Sequence, residues 1–177
     1  LEDWNLLPSK PDWAGGMREM WQPGEEGARQ RLEDFVEEAA RYEAQRNLPS
    51  IEGTSFLSPH LHFGEISPAR IWHAVADAGG SVGTFLGELG WRDYAQNVLL
   101  ILPDYGSRSA KEDFSFLQWR TGKGAEEDLR AWQRGMTGYP IVDAGMRQLW
   151  HTGWMHNRVR MIAASFLIKH LLIDWRE

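Results

Sequence analysis

The 177-residue sequence contains no cysteine, which excludes a disulfide scaffold, a thiolate metal site and a cysteine nucleophile and is typical of a reducing compartment. No apolar run is long enough to cross a membrane, and the first ten residues lack the pattern of a signal peptide. We therefore expect a cytoplasmic protein without a membrane partner. The motifs GxxxxGKS/T, GxSxG and GxGxxG are also missing, so the P-loop, hydrolase and dinucleotide-fold classes have no support.

Histidines at metal-ligand spacing are lacking as well. His60 and His62 flank Leu61, and His156 has no second histidine or carboxylate at ligand spacing. We therefore expect no metal site.

Acidic residues outnumber basic ones overall, but the end of the chain has an excess of positive charge. The chain carries a net charge of −6, which divides into −10 for residues 1–128 and +4 for residues 129–177. A local basic patch matters more for phosphate binding than the total charge. The distribution leaves two alternatives open, an uneven but ordinary surface and a nucleic-acid-binding face in the last third of the chain.

Strand-like alternation is absent, and helical spacing of apolar residues predicts an all-α fold. The proline- and glycine-rich residues 1–24 predict an extended interdomain linker, and residues 25–177 predict one helical domain. The last helix is apolar nearly all round, which predicts that it lies at the centre of the fold. Its two arginines, Arg158 and Arg160, would then be buried, and each would need an ion-pair partner or a bound anion. The predicted helices are 25–47, a short helix capped by Ser58, 68–78 capped by Ser67, 84–101, 126–134, 140–151 and 156–174.

Three segments combine residue types that carry chemistry. Thr54, Ser55 and Ser58 precede a predicted helix, where hydroxyls and free N–H groups either bind an anion or simply cap the helix. On a later helix Glu88, Trp91, Arg92 and Ala95 share one face, which suits a planar hydrogen-bonding ligand or, alternatively, a Glu88–Arg92 surface pair beside a core tryptophan. On the last helix, one face is formed by Asn157, Arg160, Met161 and Ala164.

Several blocks together resemble the photolyase and cryptochrome family. They are WQPGEEGARQRLEDF, GTSFLSPHLHFGEISP, ELGWRDY, AWQRGMTGYPIVDAGMRQL and GWMHNRVRMIAASFLIKHLLIDWRE, in the family's order from about Trp21 to Glu177. The resemblance implies the helical FAD-binding domain of this family and light-driven electron transfer from reduced FAD to cyclobutane pyrimidine dimers in DNA. It leaves two alternatives, a cryptochrome-like blue-light photoreceptor and a non-catalytic helical fragment.

The same resemblance implies roles for individual residues. Phe85 stands where many relatives have tryptophan, and Phe56 is expected to contribute only its backbone. Glu88, Trp91, Asn157 and Met161 resemble the catalytic cavity that receives the flipped-out dimer, and Trp119 and Trp175 resemble members of an electron-transfer relay. The DNA-contacting set comprises Arg46, Glu88, Trp91, Arg92, Asn157 and Arg158. The FAD-binding set comprises Tyr42, Thr54, Ser55, Phe56, Leu57, Ser58, Phe85, Arg92, Trp154, Asn157 and Arg160.

The resemblance also implies that this chain is truncated relative to the family. The α/β antenna domain is missing, so no antenna chromophore is expected in this chain. A further helical segment that follows DWRE in relatives is also missing, which is expected to leave the FAD pocket open on one side. We expect a monomer that acts on DNA containing pyrimidine dimers.

Overall fold

The computed structural model describes residues 4, 10–109, 111, 114 and 116–177. These residues contain no β-strand, so the predicted all-α fold is confirmed. In chain order the α-helices are α1 (Gly15–Met20), α2 (Glu25–Glu38), α3 (Tyr42–Gln45), α4 (Ser58–His62), α5 (Pro68–Ala78), α6 (Gly83–Ile101), α7 (Lys123–Gln133), α8 (Pro140–Thr152) and α9 (Asn157–Ser165).

The chain forms two compact units. The central unit comprises Pro23–Trp119 together with Arg176. The terminal unit comprises the described residues up to Gln22, together with Arg120–Trp175 and Glu177. The described residues before position 23 thus group with residues 120–175.

The central unit is built by packing α2 against α5 and α5 against α6. Apolar residues at helical spacing on these three helices meet in one core, and Ile71 and Val75 are fully buried in it. Each such side chain stabilises the fold by about 1.5–3 kcal/mol. The buried members of this core are Ala28, Leu32, Phe35, Ala39, Tyr42, Leu57, Ile66, Ile71, Val75, Val82, Phe85 and Leu89.

The predicted helix 25–47 is interrupted by a tighter 3-10 turn at Ala39–Arg41. The apolar positions Leu32, Phe35 and Ala39 are all buried and keep a spacing that a continuous helix would share. The spacing therefore could not reveal the interruption. After the turn, α3 begins at Tyr42, whose ring is buried in the core.

Of the two predicted serine caps, one is confirmed and one is wrong. Ser67 caps α5, because its side chain accepts a hydrogen bond from the backbone N–H of Arg70 at 3.2 Å. Ser58 is already helical, the cap position of α4 is occupied by Leu57, and no side chain caps this helix. Just before this helix, the hydroxyl of Ser55 accepts a hydrogen bond from the backbone N–H of Leu57 at 3.3 Å.

In the terminal unit, α1 packs against α8. The extended conformation expected for residues 1–24 is therefore wrong at Gly15–Met20. Two contacts hold this helix in place: the indole N–H of Trp21 donates to the carbonyl of Thr152 at 2.6 Å, and Gly16 lies against His151. A Cβ at Gly16 would stand 2.4 Å from the His151 carbonyl oxygen, so only glycine permits this approach.

The last predicted helix, 156–174, is shorter than expected. α9 ends at Ser165 and passes into a wider π-helical turn at Phe166–His170, in which Leu171 N–H donates to the carbonyl of Phe166 at 3.0 Å. One face is buried through Val159 and Ala163, whereas Met161 is 56% exposed. The expectation of a central helix, buried on all sides, is wrong.

Candidate functional site

The most connected group of predicted site residues lies in the central unit. The carboxylate of Glu88 on α6 pairs with the guanidinium of Arg46 through Oε1. Its other oxygen, Oε2, accepts a hydrogen bond from the hydroxyl of Tyr42. Tyr42 begins α3 and Arg46 follows its last residue, so packing of α3 against α6 brings all three side chains together.

Aromatic packing fixes the Tyr42 ring. The rings of Phe35 and Phe85 meet it edge-on, with centroid distances of 5.7 and 5.2 Å, and contact each other at 4.5 Å with their planes tilted by 44°. The Arg46 guanidinium lies 5.6 Å from the Tyr42 ring centroid, within the range of a cation–π contact. Phe85 is buried in this cluster, so its ring serves the core and has little surface left for a ligand.

The predicted anion-binding loop adopts an unusual backbone. Phe56 has a φ of 53°, in the left-handed region that side chains other than glycine rarely occupy, at a cost of about 1–3 kcal/mol. Its ring lies under the guanidinium of Arg31 at 5.5 Å, and the next side chain, Leu57, is fully buried. The Oγ1 atom of Thr54 is buried and has no hydrogen-bond partner among the described residues.

The remaining predicted residues of α6 point to different surroundings. Trp91 is 67% exposed and meets the ring of Tyr94 edge-on at 5.3 Å, so it is not a core tryptophan. The guanidinium of Arg92 donates to the carbonyl of Leu61 at 2.9 Å, which ties α6 to α4. The alternative of a Glu88–Arg92 surface pair is wrong, since the carboxylate of Glu88 pairs with Arg46 instead.

In the terminal unit, α9 presents its predicted polar face on the surface. Asn157, Arg160, Met161 and Ala164 are all exposed. The burial predicted for Arg160 is therefore wrong. His156 caps the helix, because its Nδ1 accepts from the backbone N–H of Arg158 at 3.1 Å.

Two further predicted residues flank the start of α9. The Trp154 indole is half-buried and meets the His156 ring edge-on at 6.2 Å. The Arg158 guanidinium is half-buried and reaches the Met161 sulfur at 3.8 Å.

The two predicted relay tryptophans lie in different units. Trp119 is half-buried at the end of the central unit, and Trp175 is 41% exposed in the terminal unit. Each unit thus holds part of the predicted site: Glu88, Arg46, Tyr42 and the 54–58 loop in one, and the α9 face in the other.

Two clusters were missed from the sequence, one around the half-buried Glu65 and one around the buried Asp143. The first joins His60 and Glu65: His60 Nδ1 lies 2.5 Å from Glu65 Oε2, while Glu65 Oε1 accepts from the N–H of Gly24 at 2.8 Å. The hydrogen bond from His60 lowers the pKa of Glu65, with the Gly24 N–H and the charge of His60 acting in the same direction against the effect of burial. A glutamate five residues after a buried histidine gives no periodic signal that would reveal this pair.

The second cluster is centred on Asp143 in the first turn of α8. Its carboxylate accepts from the backbone N–H and the hydroxyl of Thr137 at 2.8 and 2.6 Å, and from the N–H of Gly138 at 2.9 Å. Burial alone would raise the pKa of Asp143, but the hydrogen bonds from Thr137 and Gly138 and the charge of Arg147 outweigh it and lower that pKa. One sequence signal could have revealed this cluster. A Thr-Gly turn leads into a helix here, and a carboxylate follows three residues after the helix begins.

Among the residues that the structure describes, no three histidine, aspartate or glutamate side chains are grouped so that they could hold a metal ion. None of the described helices is both long enough and apolar enough to cross a membrane.

Comparison with known proteins places this geometry in a family. Residues 85–177, just over half of the chain, match the family model for the FAD binding domain of DNA photolyase. Over its whole length the chain is 51% identical to the deoxyribodipyrimidine photo-lyase of Agrobacterium fabrum and covers 38% of that protein. It is 37% identical over 169 residues to cryptochrome-1 of Arabidopsis thaliana, covering 24% of that protein.

Solved structures agree. A class III photolyase from Agrobacterium tumefaciens superposes with a TM-score of 0.92 at 50% identity, over 99% of this chain and 37% of that one. A cryptochrome from Synechocystis superposes with a TM-score of 0.79 at 32% identity, over 88% of this chain and 34% of that one. The chain thus spans less than two fifths of the length of these relatives. The family model, the identities and the superposed helices together show that the chain belongs to the photolyase and cryptochrome family, as part of its helical FAD-binding domain.

Proposed function

We propose that the protein repairs cyclobutane pyrimidine dimers in DNA by light-driven electron transfer from reduced FAD, and that this chain supplies part of the flavin and lesion sites. The observation that carries the proposal is the surface of α6, where the exposed indole of Trp91 stands three residues after the half-buried carboxylate of Glu88. An indole offers a stacking face and a carboxylate bonds the edges of bases, so these two residues suit two linked pyrimidine bases extruded from the duplex.

The residues of the 54–58 loop fit the FAD phosphates and ribitol. A buried hydroxyl without a partner is costly, and a ligand oxygen at Thr54 would satisfy it. The left-handed backbone at Phe56 turns the chain immediately before α4. Cofactor contacts are proposed for Tyr42, Thr54, Ser55, Phe56, Leu57, Ser58, Arg92, Trp154, Asn157 and Arg160, with Leu57 limited to its backbone and Phe85 acting as support for Tyr42.

The lesion site is assigned to four residues. When bound and reduced, FAD supplies the electron donor for ring splitting. Trp91 stacks on the dimer, Glu88 bonds its base edges and stabilises developing charge, and Asn157 and Met161 provide an amide and an apolar wall. This assignment is supported by the exposure of Trp91, Asn157 and Met161.

Guanidinium groups are proposed to hold the DNA backbone. Arg46, Arg92 and Arg158 are the candidates, and each is only partly exposed. Phosphate contacts fix register and make the affinity depend on salt. The net charge of +4 after residue 128 supports a DNA-facing surface there.

Trp119 is proposed as the surface member and Trp175 as the middle member of an electron relay to the flavin. The cysteine-free composition supports a cytoplasmic location. Three further points stay predictions: the protein is a monomer, this chain binds no antenna chromophore, and its functional division lies at residue 24.

A cryptochrome-like photoreceptor is the second candidate. Similarity to the Arabidopsis and Synechocystis cryptochromes supports it. This candidate keeps the flavin site and the relay but needs no affinity for pyrimidine dimers.

Two binding measurements separate these functions. The full chain is incubated with FAD, freed of unbound ligand, and its visible absorption spectrum is recorded. Dissociation constants are then measured in the dark for an oligonucleotide with one thymine dimer and for its undamaged counterpart.

The proposal predicts a retained flavin band with vibrational fine structure and a preference of at least about a hundredfold for the damaged oligonucleotide. Replacing Trp91 with Ala should reduce that preference, since stacking contributes about 1–3 kcal/mol per base. Retained flavin with equal affinity for both oligonucleotides would favour the photoreceptor. If no flavin is retained, these residues alone do not form the cofactor site.

A further inference from the structure

A chain of hydrogen bonds fastens α4 to the start of α2. His60 lies on α4 and is 2% exposed, and its Nδ1 is 2.5 Å from Oε2 of Glu65. The other carboxylate oxygen of Glu65 accepts from the backbone N–H of Gly24, the N-cap residue of α2, at 2.8 Å. The hydrogen bond from His60 lowers the pKa of Glu65, so the carboxylate is ionised at neutral pH and Nδ1 of His60 is the donor. We call Gly24, His60 and Glu65 the α4 anchor.

The α4 anchor holds a helix that is too short to be stable by itself. α4 has only five residues, and a helix of this length forms only where tertiary contacts fix it. Glu65 is bound to the helix a second time, since its backbone N–H donates to the carbonyl of His60 at 2.9 Å. The guanidinium of Arg92 donates to the carbonyl of Leu61, which ties the same turn to α6. The end of α4 is thus fixed to both α2 and α6.

The residues directly before α4 form the loop that is assigned to the FAD phosphates and ribitol. Leu57 couples the loop to the helix, because its carbonyl accepts from the N–H of Leu61 at 2.9 Å. His60 lies only two residues after Ser58, so a shift of α4 would move the last residues of the loop. The loop also contains the left-handed backbone of Phe56, a conformation that persists only where the surrounding structure holds it.

We propose that His60 and Glu65 are positioning residues for the cofactor, because they fix α4 and thereby hold residues 54–58 in the conformation that receives the FAD phosphates. The inference rests on the proposed function, which assigns this loop to FAD. A loop that is ordered before the cofactor arrives loses less conformational entropy on binding. If either side chain is removed, the other loses its hydrogen-bond partner in this pair, and α4 opens locally.

The first experiment separates positioning of the loop from general stabilisation of the fold. Dissociation constants for FAD are measured with the full chain by equilibrium dialysis in the dark, at a temperature where circular dichroism shows every variant to be folded. His60→Leu and Glu65→Met remove the hydrogen bonds of the pair, and His60→Asn keeps an amide N–H close to the position of Nδ1. Val75→Ala is the control, since it destabilises the same unit through the core contacts of α5.

A positioning role predicts that His60→Leu and Glu65→Met each raise the dissociation constant for FAD by about tenfold, and that their losses do not add in the double variant. His60→Asn should restore most of the affinity. Val75→Ala should lower the melting temperature but change the dissociation constant by less than about twofold, because the affinity of a fully folded protein does not depend on its global stability. The proposal is overturned if His60→Leu binds FAD like the wild type, or if Val75→Ala weakens FAD as much as His60→Leu does.

Thr54→Val tests whether the α4 anchor acts through the loop. It removes the buried hydroxyl that is proposed to bond a FAD oxygen and keeps a branched side chain. The losses for Thr54→Val and His60→Leu should not add, since a displaced loop has already lost the Thr54 contact. Additive losses would show that His60 affects FAD by another route and would overturn the positioning role. Weaker FAD binding by Thr54→Val, with His60→Leu like the wild type, would uphold the proposed cofactor site and overturn this inference alone.

Amide hydrogen exchange of the FAD-free protein keeps the test independent of the proposed function. The reporter is the N–H of Leu61, which donates to the carbonyl of Leu57. His60→Leu should speed its exchange at least about tenfold more than the exchange of the α5 amides, because the opening is local. Equal acceleration in both segments, or none, would overturn the positioning role even if the protein binds FAD. Local opening in a protein that binds no FAD would instead contradict the proposed function and support the anchoring of the loop.

Discussion

At the residue scale, the buried side chain of Asp143 stabilises both the turn before α8 and the start of that helix. Its two oxygens accept three hydrogen bonds from Thr137 and Gly138, which fixes the turn that leads into α8. The carboxylate also lies in the first turn of that helix, where the helix dipole favours negative charge. The lowered pKa of Asp143 shows that the folded protein stabilises the ionised form.

Replacing Asp143 with Asn should lower the free energy of unfolding by about 1–3 kcal/mol at neutral pH. The amide presents N–H groups where Thr137 and Gly138 donate, so at least one donor loses its acceptor. Chemical denaturation of both proteins at neutral pH measures the loss. Asp128→Asn is the matched control: its ion pair with Arg120 is exposed, and its removal should cost no more than about 1 kcal/mol.

The stability that Asp143 contributes should also depend on pH. Because the pKa of Asp143 is lower in the folded than in the unfolded state, its contribution is fully present above its ordinary pKa and is lost as pH falls through the folded value. The difference in stability between wild type and Asp143→Asn should therefore shrink on acidification. A difference that stays constant down to the acid transition would contradict an ionised Asp143 as the source of the stability.

The residue scale also shows what the sequence could predict of the site. Helical spacing placed Glu88 and Trp91 on α6 and grouped the residues of the α9 surface, and the structure finds both groups there. The partners of Glu88 could not be predicted, because Tyr42 and Arg46 lie more than forty residues away and meet it only through packing of α3 against α6. Local spacing suggested Arg92 instead, and this was wrong.

At the scale of elements, close approach of α8 and α9 depends on Gly145. A Cβ at this position would lie 2.3 Å from the Cγ1 of Val159, a stiff branched side chain that is itself buried. Together with Met155 between them and Phe166 after α9, the two helices form a hydrophobic core, whose other buried members are Val142, Met146, Val159 and Ala163.

Gly145→Ala should destabilise the protein by about 1–3 kcal/mol, because the added methyl group forces the two helices apart or Val159 out of its rotamer. Gly87→Ala makes the same chemical change within α6, where the added Cβ meets no atom within 4 Å. It should stabilise the protein by about 0.5–1 kcal/mol through helix propensity. Thermal or chemical unfolding measures both, and a stabilising Gly145→Ala would contradict the close packing of α8 on α9.

Element boundaries were predictable where a local signal marks them. A proline at the first helical position indicates where α5 and α8 begin, and a glycine directly after each helix, Gly79 or Gly153, indicates where it ends. The turn at Ala39–Arg41 and the π-helical turn at Phe166–His170 were not predictable, since both keep the apolar spacing of an uninterrupted helix. The exposed face of α9 was missed because apolar residues such as Met161 and Ile162 are indistinguishable from core residues in sequence alone.

At the scale of the whole molecule, the chain order and the compact units do not coincide. Sequence composition suggested a linker before residue 25, but α1 belongs to the same unit as α7, α8 and α9. A contact such as Trp21 with Thr152 joins residues far apart in the chain, and no local pattern announces it. The all-α class was predictable because it follows from periodicity, whereas the grouping of helices follows from long-range packing.

The distribution of charge belongs to the same scale. The last third of the chain is basic while the rest is acidic, and the basic portion carries the α9 surface. Under the proposed function, this basic portion would give DNA a preferred face despite the net negative charge, and the affinity for DNA should fall with added salt.

The measurement that tests the account most directly is light-driven repair. The full chain is loaded with FAD, reduced chemically, and mixed with an oligonucleotide containing one thymine dimer. Recovery of the ultraviolet absorbance of the thymine bases is followed under blue light and in the dark. The account predicts recovery only in the light, and a rate lowered about tenfold or more by Glu88→Gln, since one charge-assisted hydrogen bond to the lesion is lost. Retained flavin and bound dimer without any light-dependent recovery would contradict it.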